Sequence, residues 1–207
     1  MDGEMGTREK LLFFGKQEFL HKGFQKASLR GIASAAGLTT GAIYTCFADK
    51  NALFEAIVSP VCAQVERMFD ELSASYCTPR GAAGELSKER AAADLKTVYG
   101  FIYANFDVFR LLVSGAEGSS RADYVHTVVE YEVAHTLAYL ERMKEETGRD
   151  TALSRTFVHT VSESYINAVL EPVRHNRRYE EAIAELEQLC VFYAGGWNSI
   201  FQALFGG

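Results

Sequence analysis

Three prolines in 207 residues are too few to break up long helices, and β-branched residues nowhere alternate with polar ones at period two. A sheet is therefore not expected, and an all-α fold is. No apolar run reaches the length that crosses a bilayer, so no membrane partner is expected. The opening MDGEMGTREK is acidic and polar, unlike a signal peptide, and a cytoplasmic location follows as an expectation. Cys46, Cys62, Cys77 and Cys190 are scattered, without a CxxC pair or a His/Cys ligand spacing. Free thiols are expected in a reducing compartment. There is no nucleophile–base pair, phosphate loop or metal signature, so neither an enzyme nor a cofactor is expected.

What is present is an ordinary globular composition, 48% hydrophobic and 23% charged, enough for a real core. The net charge of −6 argues at first against nucleic acid. Its distribution does not. Residues 1–50 hold seven Lys/Arg against five Asp/Glu, whereas residues 51–207 hold fourteen against twenty-two. A basic head on an acidic body is the expected arrangement.

Helix signals divide the chain. A Thr7 N-cap predicts a first helix to about Lys22, with Leu11, Leu12, Gly15, Phe19 and Leu20 on one side and Gly23 as its stop. Ser28 caps a short second helix ended by Gly37, Thr39 caps a short third, and Asp49 caps a long fourth to about Ser75. Pro60 falls inside the fourth helix and predicts a kink or break. CTPRGAAGELS, Cys77 to Ser87, is the clearest loop. Helices are expected beyond it at about 88–105, 107–114, 121–147, 151–174 and 179–205. Tyr124–Leu140 is apolar nearly all round and is expected to be central.

A third helix of barely two turns is marginal alone and needs neighbours to hold it. Ala33, Ala36 and Gly37 let the second and third helices approach closely, over a small core of Phe19, Phe24, Ile32, Leu38, Ile43 and Phe47. Two short helices joined this way form a helix-turn-helix, which offers its second helix to the DNA major groove.

The spacing of Gly23-Phe24, Ser28, Ile32-Ala33, Ala36-Gly37-Leu38-Thr39, Gly41, Ile43-Tyr44, Phe47, Lys50 and Leu53 resembles the N-terminal region of TetR-family transcriptional regulators. The resemblance implies an N-terminal three-helix DNA-binding head (1–50), a fourth helix at about 50–75 as connector, and a C-terminal helical ligand-binding and dimerisation domain (51–207). By position, Ser28, Thr39, Tyr44 and Lys50 correspond to phosphate contacts. Thr40, Gly41, Ala42, Thr45 and Cys46 lie at exposed recognition-helix positions. Arg30 stands where some members send an arginine to guanine. Gly15 replaces a usual alanine, and the recognition helix has no Asn, Gln or Arg, so shape and threonine–methyl contacts are expected to assist readout.

The family's effector pocket maps onto the body, where Tyr99, Tyr103, Tyr131 and Tyr165 offer amphipathic walls and His135, Glu163 and Asn167 offer polar groups. Those polar groups, together with Glu130, Glu132 and His159, are expected either to line that cavity or to pair across a core. The spacing of His135, His159 and Glu163 fixes no coordination geometry, and no metal is assigned. The helix ending in CVFYAGGWNSIFQALF suggests a two-fold interface with its preceding helix, through Val169, Phe192, Gly195, Gly196, Trp197, Ile200, Phe201 and Leu204. The expected protein is a ligand-responsive repressor, a homodimer binding a palindromic operator duplex and released by a small-molecule effector. The alternative is an all-helical ligand-binding or protein-interaction module without sequence-specific DNA binding.

Overall fold

The computed structural model describes residues 5–76, 88–149 and 153–205. Among them the chain forms nine α-helices, one π-helical turn and no strand. The helices are α1 (Thr7–Lys26), α2 (Leu29–Ala35), α3 (Thr40–Cys46), α4 (Lys50–Tyr76), α5 (Lys88–Ala104), α6 (Phe106–Arg110), α7 (Tyr124–Thr147), α8 (Arg155–Arg174) and α9 (Tyr179–Phe205); the π-helical turn is Leu111–Gly115. The expected loop at Cys77–Ser87 lies outside the described residues. Cys46, Cys62 and Cys190 form no disulfide among the described residues.

Two compact units divide the chain. One holds Met1–Gln64 and Asn105–Tyr124, so it takes in residues well beyond the 1–50 expected of the head; the other holds Val65–Ala104 and Val125–Gly207.

In the first unit the predicted caps form. Ser28 Oγ accepts from Gly31 N at 3.3 Å, Thr39 Oγ1 from Ala42 N at 3.3 Å, and Asp49 Oδ1 from Ala52 N at 2.7 Å. Helix α1 differs at its start. Thr7 is already helical, and the cap is Gly6, whose N–H donates to Glu9 Oε2 at 3.0 Å. At Gly23 the backbone leaves the helix (φ 71°, ψ 164°), and one further turn follows to Lys26. Leu11, Gly15 and Phe19 are buried, while Leu12 and Leu20 are half-buried at the edge.

Phe19, Phe24 and Phe54 form the aromatic centre of this unit, with ring centroids 5.1–5.8 Å apart. Ile32, Ile43 and Leu53 are fully buried around them. Gly15 lets α1 pass close to α4, since a Cβ there would lie 3.2 Å from Leu53 Cδ2. Helix α4 runs through Pro60 without a break, although proline leaves the Ala56 carbonyl without its N–H partner.

In the second unit α5 and α8 both pack against α9. Leu95, Tyr99 and Ile102 of α5 are buried, as are Leu186, Cys190, Ala194 and Phe201 of α9. Helix α7 is less central than its composition suggests. It buries Val128, Val129, Val133, Leu140 and Met143, but Ala134 and Ala138 are exposed. Alanine contributes too little apolar area to force burial of a second face.

Candidate nucleic-acid interface

Helix α3 is held from beneath and open above. Ile43 is fully buried and Phe47 nearly so, which fixes the helix against the phenylalanine core. Thr40, Gly41, Tyr44 and Thr45 are exposed, with Tyr44 at 59%; Ala42 and Cys46 are half-buried. Tyr44 is therefore not a core aromatic. Thr45 Oγ1 donates back to Gly41 O at 3.2 Å, leaving its methyl and lone pairs for any partner. Ser28 and Thr39 are exposed at the starts of α2 and α3, and Arg30 is exposed in the first turn of α2. Their surroundings offer hydroxyls and N-terminal peptide dipoles, both suited to anionic oxygens.

Lys50 has a second occupation. Its Nζ donates to Gln25 O and Ala27 O, each at 3.2 Å, and sits 4.6 Å from the Phe24 ring centroid. An ammonium has three N–H donors, so at most one remains for a phosphate. Glu18 braces the other end of the same turn, accepting from Lys22 Nζ at 2.8 Å and from Ser28 N at 3.2 Å.

A polar knot behind the helix-turn-helix gave no local sequence signal. Glu55 of α4 accepts from Arg121 Nε at 3.0 Å, Arg121 Nη2 at 3.0 Å and Ser59 Oγ at 2.6 Å, and also from Ser120 Oγ. Asn51 Oδ1 accepts the Ser120 N–H at 2.9 Å. Burial pushes the Glu55 carboxyl up, but the Arg121, Ser120 and Ser59 hydrogen bonds together outweigh it and hold it down at about 2. Two of its partners, Ser120 and Arg121, lie 65 and 66 residues away in the chain.

The residues expected around a pocket fall into three groups in the second unit. Tyr99 is buried, its hydroxyl without a hydrogen-bond partner, beside Tyr103 with ring centroids 6.3 Å apart. Tyr103 donates to Arg177 O at 3.0 Å. Tyr131 donates to Glu66 Oε1 at 3.0 Å and, like His135, lies about 6 Å from the Phe69 ring. Tyr165 packs on Tyr193 at 5.0 Å. Glu163 is exposed, contrary to its expected place in a closed cavity, and the Asn167 side chain is tied to the Glu163 carbonyl and to Arg174. His159, Glu163 and Asn167 are spaced i, i+4 and i+8 on α8, a spacing that also suits an outer face, and Glu163 is exposed there. Glu132 of α7 is desolvated, which pushes its carboxyl up to about 7 against the lowering effect of Thr136.

On the proposed interface face, Phe192 is 72% exposed and nothing lies within 4 Å of a Cβ built at Gly195 or Gly196. Trp197, Ile200 and Leu204 are half-buried. Val169 and Phe201 are corrections: both are buried within the protomer. At helical spacing Phe201 falls on the side of α9 that faces inward, where its ring packs on Tyr139 at 5.7 Å.

Residues 15–57 match the family described as "Bacterial regulatory proteins, tetR family". Over 52 residues the chain is 44% identical to the HTH-type transcriptional repressor BepR of Brucella suis; the matched stretch is 25% of this chain and 25% of that repressor. Similar solved structures include the transcriptional regulator FadR of Bacillus subtilis in complex with stearoyl-CoA (14% identity, TM-score 0.61, 90% of this chain and 97% of that one). Another is NalD, the secondary repressor of the MexAB-OprM multidrug efflux pump in Pseudomonas aeruginosa (19% identity, TM-score 0.58, 96% of each chain). The structural likenesses extend the shared fold past the matched head into the helical body, and the head itself carries the family's spacing: residues 15–57 are similar to the TetR family of bacterial regulatory proteins, and the rest of the chain shares the fold of such regulators.

Proposed function

We propose that the chain is a ligand-responsive transcriptional repressor that binds a palindromic operator as a homodimer. The observation that carries this reading is the exposed face of α3, with Tyr44 at 59% exposure on a helix capped by Thr39 and anchored by Ile43. Tyr44, Ser28, Thr39 and the remaining Lys50 donor contact phosphates. Thr40, Gly41, Ala42, Thr45 and Cys46 face base edges in the major groove, and Arg30 reaches a guanine. The second copy docks through the outer face of α8 and α9, where Gly195 and Gly196 permit close approach of another helix.

The small-molecule effector binds in the second unit, where the unpartnered Tyr99 hydroxyl is a polar atom for it to meet. Helix α4 has residues in both units and serves as the lever. Effector binding shifts α4, the spacing of the two α3 helices changes, and they no longer match half-sites a whole number of turns apart. This requires the effector to prefer the released state. Pro60→Ala tests the lever, because effector-induced release unchanged by that substitution would remove Pro60 from the mechanism.

Selection of bound fragments from genomic DNA, followed by titration of the recovered duplex, tests the function itself. A palindromic site and a steep fall of affinity with salt are expected. Tyr44→Phe should weaken all sequences alike, whereas Arg30→Ala should relax one base position. A recognition helix without Asn, Gln or Arg favours a second reading, a helical ligand-binding module that reads no sequence. Recovery of no preferred fragment would establish that reading instead.

A further inference from the structure

The geometry points to a binding site for a divalent transition cation of the zinc class on the second unit, formed by His126 and Glu130 of α7 and His159 of α8. Each offers one ligand atom, and the three atoms all lie within 4.8 Å of one another. His126 and Glu130 are i and i+4, which puts both on one helical face. His159 Nε2 is 3.3 Å from Glu130 Oε1. Two ligand atoms about 2.0–2.1 Å from a tetrahedral ion stand about 3.3–3.4 Å apart, so this pair already has a coordinating separation. The His126 and His159 rings are 6.1 Å apart by centroid, and a change of side-chain rotamer closes the third edge.

The carboxylate is oriented for the task. Arg155 Nη2 donates to Glu130 Oε2 at 2.6 Å, which leaves Oε1 turned toward His159. A carboxylate held through one oxygen by a neighbouring side chain is a usual support for a metal ligand. Two imidazoles and one carboxylate suit zinc and its neighbours, while magnesium and calcium prefer oxygen throughout. His126 is exposed and the other two are half-buried, so an ion enters from solvent and keeps water at its open positions. A simple ion pair of His159 with Glu130 does not need His126. Bound there, the cation clamps α7 to α8.

The test uses the full chain freed of metal by a chelator and titrated calorimetrically with zinc, with cobalt as a visible-spectrum probe of coordination. One zinc per chain is expected, with no comparable response to magnesium. His126→Ala and His159→Ala should each weaken binding ~10-fold or more, at least the effect of losing an outer-shell support. His135→Ala, on the same helix but outside the cluster, should bind as the parent does. Because His126 is exposed, its substitution leaves the fold intact, which circular dichroism checks. No saturable binding near one equivalent, binding that survives both substitutions, or an equal loss in His135→Ala would overturn the proposal and reduce the cluster to an ion pair.

Discussion

Tyr44 and Lys50 both correspond by position to phosphate contacts, yet their environments differ. Tyr44 Oη stands in solvent, so Tyr44→Phe should leave the melting temperature unchanged and weaken operator binding about 5–10-fold, the equivalent of one hydrogen bond of roughly 1–1.5 kcal/mol. Lys50 is tied to the Gln25 and Ala27 carbonyls and to the Phe24 ring. Lys50→Ala should therefore lower the stability of DNA-free protein by about 1–3 kcal/mol, measured by urea unfolding; a lysine used only for phosphate would leave it unchanged. The caps at Ser28, Thr39 and Asp49 were legible in sequence because each hydroxyl or carboxylate bonds an N–H three residues on. Those of Lys50 were not, because its acceptors are 23 and 25 residues away.

Among elements, the join of α4 to the segment before α7 is electrostatic. Glu55 carries a pKa of about 2, below its ordinary 4.5, so its stabilising contribution is present above about 4.5 and is lost as pH falls toward about 2. The difference in unfolding free energy between the parent and Glu55→Gln should be at most about 3.5 kcal/mol at pH 7, from roughly 1.4 kcal/mol per pKa unit. It should shrink steadily below pH 4.5, as urea titrations at each pH would register. A gap that stays constant with pH would assign the loss to packing. Gly15 makes a second element-scale case. Replacing a helical glycine with alanine ordinarily gains about 1 kcal/mol, but here the new methyl stands 3.2 Å from Cδ2 of the fully buried Leu53, which must shift to admit it. Gly15→Ala should give no gain in melting temperature. The two helices were readable from their periodicity, whereas the tightness of their crossing was not.

For the whole molecule, the proposed dimer rests on an apolar face that the single chain leaves open. Phe192 is 72% exposed, and the glycine pair has open space above it. Phe192→Asp should shift the chain toward monomer in sedimentation, because a charge buried in an apolar interface loses its hydration. The same variant should then bind a half-site fragment and a full palindrome with similar affinity. An unchanged sedimentation profile would place the interface elsewhere. The charge split matters at this scale too: in the proposed function a basic head meets an anionic duplex although the chain carries −6.

By itself the sequence determined the all-α class, the positions of α2, α3 and α9, the caps at Ser28, Thr39 and Asp49, and the helix-turn-helix spacing. Each of these depends on residues within a turn or two of one another, so local periodicity and hydrogen-bonding chemistry suffice. Only the tertiary structure decided that Val169 and Phe201 turn inward, that Glu163 turns outward, and that α4 runs on through Pro60. It alone brought Glu55 to Arg121 and His126 and Glu130 to His159. Those outcomes depend on which faces meet across long sequence separations, and a helical face offers similar residues to several possible neighbours until packing selects one.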